Sequence, residues 1–279
     1  MGELTFPLKG NYVAMLAPSF VVDFSYPQII FALKELGFDK VVELTFGAKM
    51  INRDYHKKLK TSNELIISSV CPGVVETISE RFPEYKKNLV LIDSPMVAMA
   101  RICKKTYPKH KIVFISPCNF KKIEAKKTGL VDYVIDYKEL KKILIENKIH
   151  RKKYGKKKIV FDKFYNDYTK VYPLSGGLSK TANISHVLKC NETKIVDGIS
   201  EVIKFLNHPN KKIKFLDVTF CKGGCIGGPC VNSRLPLKLR KKKVLKYMKK
   251  SLTEDIPESK KGLIGKAKGI SFKSTYPNK

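Results

Sequence analysis

Leu65-Ile66-Ile67-Ser68-Ser69-Val70-Cys71-Pro72-Gly73-Val74-Val75 reads as a short apolar strand that ends on two serines, delivers a cysteine, and turns into a helix at Pro-Gly. The same grammar recurs. Ile112-Val113-Phe114-Ile115 is followed by Ser116-Pro117-Cys118, and the strand Lys214–Val218 is followed by Cys221. Working outward, Tyr12–Leu16, Val41–Thr45 and Leu89–Ile92 are further apolar runs, too short for helices and too apolar for one-sided strands. Between the runs, Gln28–Leu36, Ala48–Leu59, Val74–Arg81 and Met96–Lys105 carry helical periodicity. Alternating strands and helices predict parallel sheets flanked by helices, whose ligands sit at the carboxyl ends of strands. Cys71, Cys118 and Cys221 all fall there.

The second half is sparser. It predicts a strand at Ile159–Phe161, a turn at Leu174–Gly177, helices near Ser179–Leu188, Val196–Leu206 and Leu239–Leu252, and a lysine-rich boundary at Arg151–Lys158. The expected division is residues 1–150 and 151–258 as two lobes, with a basic tail at 259–279 whose Lys, Gly and Ser composition predicts flexibility.

The chain of 279 residues, 43% of them hydrophobic, is long enough for a substantial core. No apolar run reaches the ~20 residues of a membrane span, and Met1-Gly2-Glu3-Leu4 opens no signal peptide. A soluble cytoplasmic protein is expected, with no membrane partner. Seven cysteines in such a chain, two of them in Cys221-Lys222-Gly223-Gly224-Cys225, favour metal or redox chemistry over disulfides. Four thiolates complete a 4Fe-4S cubane, and the glycines let backbone approach it. Zinc is the competing metal, but only one Cys knuckle is present and no histidine lies near it. Cys103 and Cys190 read as packing residues. The net charge of +30 fits a lysine-biased surface, an acidic protein partner or nucleic acid. The cysteine motifs give nucleic acid no support.

Three segments carry a resemblance: Ser69-Val70-Cys71-Pro72-Gly73, Ser116-Pro117-Cys118-Asn119-Phe120-Lys121-Lys122-Ile123-Glu124, and Phe220-Cys221-Lys222-Gly223-Gly224-Cys225-Ile226-Gly227-Gly228. In order and separation they resemble the signature motifs of the catalytic H-cluster domain of iron-only hydrogenases. Ala17-Pro18-Ser19, Thr45-Phe46-Gly47-Ala48, Ser94-Pro95-Met96 and Ser175-Gly176-Gly177 extend the match over about Tyr12 to Gly228. The resemblance implies an α/β fold of two lobes with the cluster in the cleft between them. It implies Cys71, Cys118, Cys221 and Cys225 as ligands of a 4Fe-4S cluster, with Cys225 bridging to a di-iron subcluster bearing CO, cyanide and dithiolate ligands. Lys121 and Ser19 would bond cyanide, and Ala17, Pro18, Val70, Pro117, Ser175, Gly176 and Gly224 would line the cofactor. Lys121, Ser94 and Glu124 would serve catalysis, the last two on the proton route.

The implied activity is reversible reduction of protons to hydrogen in an anaerobic setting. Its partners would be an acidic ferredoxin or similar electron carrier, because the N-terminal ferredoxin-like modules are missing, and hydrogenase maturation proteins. Departures weaken it. Val70 stands where catalytic members have a proton-relaying cysteine, Tyr55 and Lys58 fall where route glutamates belong, and Ser116 and Thr219 replace methionines. These favour, as alternatives, a hydrogen-sensing or slow divergent hydrogenase, or a non-catalytic iron–sulfur assembly or electron-transfer protein. Cys230, where a third glycine is typical, has no assigned role.

Overall fold

A computed structural model describes residues 4–149 and 159–276. Two parallel sheets organise it. The first takes β1 (Tyr12–Leu16), β2 (Lys40–Glu43), β4 (Lys111–Ser116) and β5 (Tyr133–Asp136) in the order β2-β1-β4-β5. Val13 to Leu16 and Ile112 to Ile115 are wholly buried, as expected for strands covered on both faces. The second sheet takes β3 (Ile66–Ile67), β6 (Thr193–Asp197) and β7 (Phe215–Thr219) in the order β3-β7-β6.

The helices are α1 (Gln28–Glu35), α2 (Thr45–Thr61), α3 (Pro72–Arg81), α4 (Pro95–Thr106), α5 (Phe120–Thr128), α6 (Tyr137–Glu146), α7 (Gly177–Thr181), α8 (Ile199–Asn207) and α9 (Leu237–Leu252). Gly47 lets α2 cross α4 closely: a Cβ there would stand 2.6 Å from the Pro95 carbonyl oxygen and 2.9 Å from Met99 Cβ. Ser94 caps α4 by accepting from Val97 N–H.

Several expectations need correction. The opening strand does not join the first sheet. β3 pairs with β7 in the second, and Ile67, Val74, Val75 and Ile78 pack with Val196, Leu216 and Val218 in the smaller core. The lobes therefore interleave in sequence rather than dividing near residue 150. Leu89–Ile92 supplies isolated bridges to Ile67 and Lys273 instead of a strand. Ile159–Phe161 is not strand, and the helix expected over Ser179–Leu188 breaks into α7 and a 3-10 turn at Ile184–His186. The lysine run Arg151–Lys158 lies outside the described residues.

The C-terminal segment is held, not loose. Asp93 N–H donates to Phe272 O (2.8 Å), Ser274 N–H to Leu91 O (3.0 Å), and Tyr276 Oη–H to Glu76 Oε1 (2.7 Å). Phe272, Ser274 and Tyr276 alternate buried against exposed neighbours, a period of two that composition conceals. Lys170 is fully buried against Glu43, and Tyr247 of α9 bonds both. Burial pushes the Lys170 ammonium below its usual range, with Glu43 opposing. The pair ties α9 to β2.

Candidate metal centre

Parallel strands deliver the first three cysteines to one end of the two sheets. Cys71 follows β3 and leads into α3, Cys118 lies between β4 and α5, and Cys221 follows β7. Cys225 arrives four residues later because Gly223 and Gly224 turn the chain with φ of 77° each. A Cβ on Gly224 would stand 2.6 Å from the Pro173 carbonyl oxygen. That closeness lets Cys225 N–H donate to Pro173 O at 2.8 Å. The Cys118 turn is closed by Ser116, whose Oγ accepts from Cys118 N–H (3.1 Å) and donates to Cys118 O (2.9 Å). Phe220 N–H points at Cys71 Sγ, 3.4 Å away.

All seven cysteines are free thiols. Burial, then the Cys71 and Cys118 sulfurs, pushes the Cys221 thiol up to about 12. Cys118 is raised by burial and Cys71, and Cys225 by burial and the other three. Burial and neighbouring sulfurs thus disfavour thiolate at Cys118, Cys221 and Cys225 when the cluster is on its own. Iron reverses that sign, because the cation stabilises each thiolate and binding releases the protons. Among the described residues no three His, Cys, Asp or Glu side chains close on a single-ion site. Cys71, Cys118 and Cys225 instead border a shared space. The donor set therefore fits a polynuclear iron–sulfur cluster better than a lone zinc.

The bordering cavity has a volume of about 90 Å³. Of the residues expected there, Ala17, Pro18, Ser19, Val70, Pro117 and Lys121 line it. Ser175, Gly176 and Gly224 do not. Gly224 lies in the Cys225 loop itself, with Ser175 packed behind it and Gly176 against the β6 side chain Ile195. The sequence missed Leu44, Phe114, Tyr172, Leu178 and Asp217, which come from distant segments and carry no local motif.

The cavity's polar groups are mostly committed to the protein. Lys121 Nζ donates to Glu124 Oε2 (2.6 Å), Ser94 Oγ (3.2 Å) and Val70 O (3.4 Å). Glu124 is 1% exposed, so this is a buried ion pair on adjacent turns of α5. Tyr137 Oη–H donates to Ala17 O (3.1 Å), which leaves Ser19 Oγ–H to donate to Tyr137 Oη at 2.7 Å. Asp217 accepts from Ser179 N–H (2.9 Å) and Oγ–H (2.7 Å), while burial raises its carboxyl. Tyr172 is the exception: its buried hydroxyl has no partner.

Of the other cysteines, Cys103 is buried in α4 as expected of a packing residue, whereas Cys190, read the same way, is exposed. Cys230 is 2% exposed and gives its Sγ–H to Asn119 Oδ1 at 3.1 Å, behind the Cys118 turn. Burial and the Asp136 carboxylate push that thiol up to about 12.

Residues 10–229 match the family described as iron-only hydrogenase large subunit, C-terminal domain. The chain belongs to that family. It is 27% identical over 276 aligned residues to iron hydrogenase 1 of Clostridium pasteurianum, covering 78% of this chain and 48% of that protein. It is 23% identical over 221 residues to the cytosolic Fe-S cluster assembly factor NAR1 of Encephalitozoon cuniculi, covering 71% of this chain and 60% of that one. The family member described here thus spans about half the length of the hydrogenase and three-fifths of the assembly factor. Among solved structures, a variant of the FeFe-hydrogenase from Chlamydomonas reinhardtii superposes with a TM-score of 0.63 at 15% identity, covering 92% of this chain and 86% of that one. A hydrogenase structure on stepwise H-cluster assembly gives 0.62 at the same identity and coverage. These likenesses carry the fold. No helix among the described residues is long and apolar enough to cross a membrane.

Proposed function

We propose that this chain holds one 4Fe-4S cubane through Cys71, Cys118, Cys221 and Cys225 and works in iron–sulfur assembly or electron transfer, without producing hydrogen. One observation carries the second half: the cavity's two candidate donors to a cyanide are already spent. Lys121 is neutralised by Glu124, and the Ser19 hydrogen goes to Tyr137. A di-iron unit would have to take the Ser19 hydrogen from Tyr137 and one Lys121 N–H from Val70 O or Ser94 Oγ, and a buried acceptor left without its donor costs about 1–3 kcal/mol. Val70 adds an aliphatic wall where a proton relay would stand.

In this account the bound cubane supplies one-electron chemistry at thiolate-ligated iron. The protein's part is to deliver the four sulfurs, exclude water with Pro72, Pro117 and Leu174, and keep Lys121 and Glu124 as an internal strut. A slow or sensory hydrogenase is the second reading, favoured by the Clostridium relative and by Lys121 bordering the cavity.

The test is anaerobic reconstitution with iron and sulfide, then addition of a synthetic di-iron cofactor with and without hydrogenase maturation proteins. About four irons per chain, a cubane electron-spin resonance signal, and no hydrogen from reduced viologen are expected. Hydrogen release that depends on the di-iron cofactor restores the second reading.

A further inference from the structure

Two tyrosines near the Cys225 sulfur differ in the fate of one hydrogen. Burial holds the hydroxyls of Tyr137 and Tyr172 well above the usual tyrosine range, and Cys225 adds to the rise at both. Each hydroxyl therefore keeps its hydrogen and has to place it somewhere. Tyr137 gives its own to Ala17 O (3.1 Å) and takes that of Ser19 (2.7 Å). Tyr172 has no such outlet, for its hydroxyl is buried and unpartnered. Folded proteins rarely carry a buried donor of this kind without a reason. The backbone holds Tyr172 to the ligand loop. Cys225 N–H donates to Pro173 O at 2.8 Å, and Leu174 forms an antiparallel bridge with Gly224. Tyr172 and Cys225 border the same apolar cavity. Asp217, the carboxyl on its lining, already accepts both hydrogens of Ser179.

We propose that Tyr172 Oη–H donates to the Cys225 sulfur once that sulfur is an iron-bound thiolate, and that this hydrogen bond raises the reduction potential of the cubane. The inference rests on the cubane reading above. It also explains why the hydroxyl stands alone beside free thiols. A neutral thiol is a weak acceptor, whereas a thiolate accepts a charge-assisted bond. Tyr172 is thus matched to the loaded state of the cradle. The sign of the effect follows from charge. A donor aimed at a ligand sulfur stabilises negative charge on the cluster, and the reduced cubane carries one electron more than the oxidised one. The reduced form therefore gains more from the bond, and the potential rises. No proton changes hands: the hydrogen stays on Tyr172 while one electron enters the cubane. Tyr137 lies near the same sulfur but cannot serve, because its hydrogen is committed to Ala17.

The experiment titrates the cubane of the anaerobically reconstituted full chain against redox dyes. Tyr172→Phe keeps the ring and removes the donor. It should lower the reduced-to-oxidised ratio at a fixed dye potential about tenfold, a shift of about 60 mV for one electron. Tyr55→Phe is the control. It removes a buried hydroxyl that is bonded to Ser69 and lies off the cavity lining, and it should change the ratio less than about twofold. Electron–nuclear double resonance of the reduced protein, compared in H2O and D2O, should show an exchangeable proton coupling that Tyr172→Phe loses and Tyr55→Phe keeps. An unmoved potential in Tyr172→Phe overturns the proposal. Equal shifts in the two variants overturn it as well, since they mark a general effect of removing buried hydroxyls. Iron content and the cubane signal are measured on every variant. A wild-type chain that holds no cubane overturns the cubane reading and this inference together, whereas an intact cubane indifferent to Tyr172 overturns this inference alone.

Discussion

The cysteine cradle and the cavity beside it are neighbours with opposite habits. In the cradle, four thiols lie close together, and Cys118, Cys221 and Cys225 are raised by burial and by their sulfur neighbours, with Lys121 only partly opposing at Cys118 and Cys225. In the cavity, nearly every polar hydrogen has an internal acceptor. Groups awaiting a ligand are left uncompensated, whereas groups with no ligand to meet are satisfied by the protein, because an unpaired buried donor is costly. By that criterion the cradle is built for an occupant and most of the cavity is not. Tyr172, with its buried unpartnered hydroxyl, is the cavity's one dissenting group.

The sharpest way to break the comparison is on the cradle side. Cys225→Ser should reduce iron from about four per chain to near background after reconstitution, since a neutral hydroxyl is a poor substitute for thiolate. Iron retained in full would remove Cys225 from the ligand set.

On the cavity side, Glu124→Ala should cost about 3 kcal/mol of unfolding free energy in urea, because it leaves Lys121 charged and unpaired. Glu124→Gln should cost less, as the amide can still accept. Were Lys121 waiting for an anionic ligand, removing Glu124 would instead be close to neutral for stability and would improve loading of the di-iron cofactor.

A smaller effect concerns pH. Burial raises the Asp93 carboxyl to about 6, with Arg101 opposing and Glu124 and Asp54 adding to the rise. The folded state therefore holds this proton more tightly than the unfolded chain. Its stabilising contribution is complete below about pH 4 and is lost as pH rises through 6, on the order of 2 kcal/mol in all. Asp93→Asn should flatten that part of the stability profile, as read from urea midpoints between pH 4 and 7. An unchanged profile would mean that Asp93 titrates normally. Smallest of all, Val70→Cys should change stability by less than about 1 kcal/mol and leave hydrogen output at zero, whereas a gain in hydrogen would mark the cavity as a damaged active site.

Much of this was legible in the sequence. Strand, cysteine and helix-start signals placed Cys71, Cys118 and Cys221 correctly at strand ends, and the three-residue spacing of Lys121 and Glu124 already allowed an ion pair. What escaped was set by contacts across long separations. Ser19 looked like a free donor because Tyr137, 118 residues away, is invisible from its neighbourhood. Leu65–Ser69 reads alike in either sheet, since a strand buried on both faces carries no record of its partner. The tail was masked by its lysines, although Phe272, Ser274 and Tyr276 showed the alternation of an extended, half-buried segment.

Infrared spectroscopy of the reconstituted protein, after incubation with the di-iron cofactor and removal of excess, meets the central claim most directly. A cubane signal in resonance with no bands from iron-bound CO or cyanide is the predicted result. Sharp CO and cyanide bands that stay with the protein would contradict it and return the chain to hydrogen chemistry.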